Sequence, residues 1–135
     1  MSKFGCTCGN VIFDITDNLP FKACLLRNEV ENAFWEEVHD EFEALIEAVE
    51  SGEKAEIANT FGESSPLAKA MGGLERRLYG IHALRTSYVY ECADCGRLWV
   101  QKAAGNQFVS YVPEEGGYQA ILSATSGDSE SLDCE

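Results

Sequence analysis

Four cysteines stand in two short pairs, Cys6-Thr7-Cys8-Gly9 and Cys92-Ala93-Asp94-Cys95-Gly96, and a glycine follows each pair. Two neighbouring sulfurs on each of two turns form the donor set of a tetrahedral structural Zn²⁺ site, with one ion per chain held by four thiolates. The expected ligands are Cys6, Cys8, Cys92 and Cys95. In a C-x-x-C-G turn the backbone N–H groups point at the sulfurs and favour their charged form; the C-x-C pair is one residue tighter. Four thiolates fill the coordination shell, whereas a catalytic zinc keeps an open position. Bound metal would also be folding energy, since the unfolded chain holds no preformed site.

A second chemistry open to these residues is thiol redox exchange at Cys92-Ala93-Asp94-Cys95. A thioredoxin-like C-x-x-C opens a helix, which lowers the thiolate pKa. Here Leu98-Trp99-Val100 follows and reads as strand, so that support is missing. Cys24, in the apolar run Phe21-Lys22-Ala23-Cys24-Leu25-Leu26, is expected as a small buried residue, and Cys134 as a free thiol on a polar tail. His39 falls among Glu36, Glu37, Asp40 and Glu41 and reads as a solvated residue; His82, between Ile81 and Leu84, reads as a core or boundary residue. Neither histidine accompanies a nucleophile in a recognisable motif, and the glycines form no phosphate-binding loop. The chain is therefore expected not to be an enzyme.

The elements that must carry the cysteines follow from periodicity. Val11-Ile12-Phe13-Asp14-Ile15 is strand-like after the first pair, Asp17-Asn18-Leu19-Pro20 is a turn, and Phe21 to Leu26 can return as a second strand. From Asn28 to Glu50, Phe34, Val38, Phe42, Leu45 or Ile46, and Val49 recur at spacings of three and four among glutamates, which predicts a helix ended by Ser51-Gly52. A short helical turn is expected around Ala55–Ala58. Pro66 can open another helix, with a break or bend at Gly72-Gly73 before Leu74, Leu78, Ile81 and Leu84 resume the spacing. Strand character returns at Ser87–Glu91, at Leu98–Lys102 and at Phe108–Val112, with a turn at Ala104-Gly105-Asn106. The prediction is an α+β fold: one domain over 1–113, strands at both ends, a helical insertion at about 28–85, and an acidic, flexible tail over 114–135.

At 135 residues the chain suits one core, and 45% hydrophobic residues fit a soluble protein. There is no apolar run of membrane-span length and no secretory h-region at the N-terminus, so the cytoplasm is the expected compartment. The formal net charge is −13. A surface this negative repels phosphate backbones and favours cationic partners. Glu29 through Glu63 carries twelve acids and one lysine, Pro66 through Lys102 carries six basic and three acidic residues, and the tail from Glu114 carries six acids and no base. Six basic residues cannot neutralise eighteen acids. The face expected to meet a basic protein is Glu36, Glu37, Asp40, Glu41, Glu43 and Glu47.

The two glycine-terminated pairs and their flanking strands resemble the zinc-ribbon class, over about Lys3–Leu26 and Ser87–Val112. That resemblance implies Cys6, Cys8, Cys92 and Cys95 as ligands and leaves the helical middle unexplained. In size, acidity and lack of catalytic groups the chain resembles, in general character only, bacterial immunity proteins, which are small acidic inhibitors of basic toxin domains. The leading expectation is a non-enzymatic zinc protein that binds, and inhibits, a basic protein through its acidic helix. Two alternatives are a nucleic-acid-associated zinc ribbon using Lys69, Arg76, Arg77, Arg85, Arg97 and Lys102 with exposed Trp99 or Tyr111, and a thiol oxidoreductase.

Overall fold

The first cysteine pair sits at the tip of a hairpin whose leading strand is very short. In the computed structural model, which describes residues 2–50, 66–103 and 105–125 without the side chains of 66–71, β1 (Ser2–Gly5) runs up to Cys6 and β2 (Val11–Asp14) runs away from it. They pair antiparallel from Ser2↔Asp14 to Gly5↔Val11. The expected hairpin between Val11–Ile15 and Phe21–Leu26 does not form. β3 (Lys22–Leu26) instead joins β4 (Thr86–Glu91) in a four-stranded sheet of order β3-β4-β5-β6, with β5 (Leu98–Gln101) and β6 (Phe108–Tyr111). Local pattern marks a strand, but the partner is chosen by burial and register, which lie outside the local window.

Between β3 and β4 the described residues form two helices, α1 (Asn28–Glu50) and α2 (Pro66–Arg85), so the α+β architecture with helices between strand groups is the one expected. α1 starts where Asn28 Nδ2 donates to Glu31 Oε1 (3.3 Å), and Glu29 and Glu31 place negative charge in the first turn. That charge complements the positive helix end. α2 runs unbroken through Gly72-Gly73, against the expected break. Two glycines cost a helix about 2 kcal/mol relative to alanine. Packing against α1 offsets that cost: Leu74 is buried, and Arg77 and Arg85 hold Glu41 and Glu37 across the pair. The higher-numbered arginine meets the lower-numbered glutamate, so the helices run antiparallel. The expected turn at Ala55–Ala58 lies outside the described residues.

The chain divides into two units, Met1–Leu25 with Ser87–Glu135, and Leu26–Thr86. The strand unit has a small core. Cys6, Ile12, Tyr90 and Cys92 are buried together, with Phe4, Phe21, Cys95, Trp99 and Phe108 packed against them. Phe4 is the hub, with ring centroids 5.0 Å from Trp99 and 4.7 Å from Phe108, both edge-on. Trp99, expected as exposed, is part of this cluster. Cys24, expected as buried, is exposed on β3. His82, expected at the core or its boundary, is exposed on α2.

Candidate metal centre

The two knuckles are variants of one turn. In the first, the Cys6 N–H donates to the Asn10 carbonyl (2.8 Å) and the Gly9 N–H donates to the Cys6 carbonyl (3.0 Å). In the second, the Cys92 N–H donates to the Arg97 carbonyl (2.9 Å) and the Gly96 N–H to the Cys92 carbonyl (2.9 Å). The C-x-C loop therefore closes like the C-x-x-C loop with one residue fewer. Gly9 (φ 104°) and Gly96 (φ 81°) occupy corresponding places at positive φ, where a side chain is strained.

These turns bring Cys6, Cys8, Cys92 and Cys95 together, with all four sulfurs within 4.8 Å of one another. Cys6 Sγ lies 3.6 Å from Cys95 Sγ, and Cys8 Sγ lies 3.6 Å from Cys92 Sγ. A disulfide has its sulfurs about 2.05 Å apart, so these are not disulfides. A tetrahedral thiolate site with metal–sulfur bonds of about 2.3 Å has S···S edges of about 3.8 Å. The cluster thus has the dimensions of a metal cage, and the close contacts run across the two knuckles.

The electrostatics call for a cation. Burial pushes the Cys6 thiol up, but the Cys8 backbone N–H, the Trp99 indole N–H and the neighbouring Cys95 and Cys8 thiols outweigh it and bring it to about 6. Cys92 is also lowered: burial opposes it, while the N–H groups of Cys95, Asn10 and Asp94 and the Cys8 thiol favour its charged form. Cys8 has the Asn10 N–H in its favour, yet desolvation and the crowding of Cys6, Cys92 and Cys95 push it up to about 12. Negative charges this close cannot all form unaided. A cation at the centre removes that conflict.

Three side-chain donors surround the sulfurs: Asn10 Nδ2 to Cys92 (3.4 Å), Trp99 Nε1 to Cys6 (3.4 Å) and an Arg97 guanidinium N–H to Cys95 (3.3 Å). Such outer contacts orient ligands and spread their charge. Behind the second knuckle, Glu91 is 1% exposed, and its carboxylate accepts the Gln119 N–H (3.0 Å) and the Ile121 N–H (2.9 Å). Of the tail expected from 114 onward, residues 114–125 are described and are tied here; 126–135, with Cys134, lie outside the described residues. Glu91 was not singled out from sequence. Its one local signal is an acid inside a β-branched and aromatic strand directly before the knuckle.

The expected partner-binding acids separate on α1. Glu37 accepts both Arg85 Nε (3.0 Å) and an Arg85 terminal N–H (2.7 Å), which hold its carboxyl below the usual range, and Glu41 pairs with Arg77. Glu43 meets His39 Nε2 at 3.2 Å, while no ion pair is found for Glu36, Asp40 or Glu47 among the described residues. The alternative cationic set is partly spent on internal contacts as well: Arg77 and Arg85 on α1, and Arg97 on Cys95. The side chain of Lys69 lies outside the described ones.

Among the described residues, no helix is long and apolar enough to cross a membrane. Residues 2–115 match DUF8617, described as a domain of unknown function, and the chain belongs to this family. No curated protein and no solved structure matches it.

Proposed function

We propose that this DUF8617 protein is a non-enzymatic zinc protein that binds a basic protein partner through the acidic outer side of α1. The zinc is structural. Four thiolates at tetrahedral spacing suit Zn²⁺ and close its shell, so the ion clamps β1–β2 to β4–β5 and has no vacant position for chemistry. Iron is the other common occupant of a four-thiolate site. Native mass spectrometry with elemental analysis tests the choice. One zinc per chain, lost in Cys92→Ser/Cys95→Ser, is expected; no bound metal, or iron, would overturn it.

The observation that carries the partner reading is the division of acids on α1. Glu37 and Glu41 are neutralised by Arg85 and Arg77, whereas Glu36, Asp40, Glu43 and Glu47 remain on the other side of the same helix. In a chain of net charge −13 this surplus steers cationic surfaces toward it. Where the partner's cationic surface is its own working face, as in basic nuclease toxins, such binding is inhibition. The test is capture of partners from cell extract by the wild-type chain and by Glu36→Lys/Asp40→Lys/Glu43→Lys/Glu47→Lys. Loss of a basic protein from the variant alone, and from the wild type at high salt, is expected. Equal capture by both chains would overturn the reading.

A further inference from the structure

α1 carries a second seam besides the one it uses on α2. Trp35, His39, Phe42, Ile46 and Val49 follow one another at spacings of four, three, four and three. That is the d-a-d-a-d order of a coiled-coil face, extending about 21 Å along the helix. All five are exposed, and the four apolar ones keep 57%, 44%, 54% and 51% of their surface open (Trp35, Phe42, Ile46, Val49). Together they offer on the order of 400 Å² of contiguous apolar surface, the size at which a patch marks a contact site. Phe34 packs edge-on against Trp35, with centroids 4.9 Å apart, and steadies the first residue of the seam.

This seam is not the face that meets α2. On a helix of 3.6 residues per turn, Glu37 and Glu41, which hold Arg85 and Arg77, fall roughly 120–160° around from it. Its flanks are unequal. One side, next to the d positions, is Glu36, Glu43 and Glu50, all exposed; the other, next to the a positions, is the half-buried Val38 and Leu45. An apolar stripe bordered by a column of acids specifies what can lie along it, because residues at these flanking positions pair with charges on the facing helix.

We propose that the seam is the docking site for a cationic amphipathic helix of a partner protein, about four turns long, with apolar residues at three-four spacing and lysine or arginine beside them. This rests on the reading that the acidic side of α1 meets a basic partner, and it adds the shape of that partner. A second copy of the chain fits less well. Two antiparallel copies would set the glutamate columns against each other, and each chain carries a net charge of −13. An extended polycation would satisfy the glutamates and leave the seam in water.

The experiment is calorimetric titration of the full zinc-loaded chain with three synthetic peptides of equal length. The first has leucine at the seam-facing positions and lysine beside them, the second replaces those leucines by serine, and the third replaces the lysines by glutamate. The first is expected to bind, the second at least tenfold more weakly, and the third not at all. Phe42→Ser/Ile46→Ser should weaken the first peptide at least tenfold and leave the second unchanged, with an unaltered melting curve showing that the exposed substitutions keep the fold. Equal binding of the first two peptides would overturn the helix inference and leave the charge reading standing. Failure of the first peptide would also overturn it, while charge-reversal capture decides the acidic face separately. A wild-type dimer in sedimentation, dissolved by Ile46→Ser, would make the occupant a second copy and refute the proposal.

Discussion

Replacing Gly96 by alanine tests how the second knuckle is held, and Gly9 supplies the control. Both glycines follow a cysteine pair and both have positive φ, so alanine at either place pays the same kind of backbone strain, about 1–2 kcal/mol. Their surroundings differ. A Cβ on Gly9 meets nothing within 4 Å, whereas a Cβ on Gly96 would sit 2.5 Å from the Gly117 carbonyl carbon, closer still to its oxygen, and 3.1 Å from Cγ of Pro113. Backbone cannot rotate out of the way as a side-chain tip can, so residues 113–121 must move. That movement pulls Gln119 and Ile121 off the Glu91 carboxylate. Each such hydrogen bond to a charged group contributes about 1.5–3 kcal/mol, and losing both leaves a buried carboxylate unsatisfied. Gly96→Ala should therefore cost at least about 3 kcal/mol more than Gly9→Ala. Urea unfolding of the two zinc-loaded variants, followed by near-ultraviolet circular dichroism, measures the difference. Equal losses would show that positive φ alone accounts for both glycines and that the 113–121 segment does not brace the knuckle.

Trp99→Phe keeps a ring in the Phe4 cluster and removes the N–H that reaches Cys6, so zinc affinity in chelator competition should fall about tenfold or more; unchanged affinity would reduce Trp99 to packing alone. Stripping the metal should unfold the strand unit, because its buried core is small and contains Cys6 and Cys92 themselves. Native-like circular dichroism of the metal-free chain would refute that. At Asp14, burial acts to raise the carboxyl, but the Lys22 ammonium at 2.8 Å and the Tyr90 hydroxyl outweigh it and hold the group below its usual range. A depressed folded value gives stability that is present above the unfolded carboxyl pKa of about 3.9 and is lost as the pH falls through the folded one. The stability gap between wild type and Asp14→Asn should thus be full at neutral pH and close in acid; a gap that widens in acid would contradict the assignment.

The four-cysteine cluster was legible in the sequence because its information is local: two pairs of one residue type, each with a glycine and strand-like flanks, imply turns that need no distant partner to be recognised. α1 was legible for a similar reason, since its apolar residues follow the helical period over 23 residues and its bounds coincide with the expected ones. What escaped depends on contacts distant in sequence. β1 is four residues with one large apolar side chain, Phe4, and becomes a strand by pairing with β2. β3 was assigned to its nearest neighbour in sequence, whereas the sheet joins it to a strand with 59 residues in between. Gly72-Gly73 reads locally as a break, and the helix persists because of what lies beside it. Glu91 is invisible as a brace, because the groups it holds are backbone N–H groups at Gln119 and Ile121 that no side-chain pattern reports.

The acidity of this chain is also easier to understand once the helices and the metal centre are considered separately. Four thiolates around a divalent ion would carry a net negative charge of about two, on a chain already at −13. The strand unit places Arg97, Asn10 and Trp99 against those sulfurs, so its nearby donors are committed to charge that the fold itself creates. The helical unit does the same on one side of α1, where Arg77 and Arg85 answer Glu41 and Glu37. In both places the arginines sit on an acid or a thiolate of the fold: Arg97 on Cys95, and Arg77 and Arg85 on Glu41 and Glu37. Among the described residues, no ion pair is found for Glu36, Asp40, Glu47 or Glu50, Glu43 meets His39, and these like charges repel one another along a single helix. A fold that needed only solubility would gain as much by scattering them. Their concentration beside an exposed apolar seam sets like charges close together on one helix, and the proposed cationic partner would relieve that repulsion.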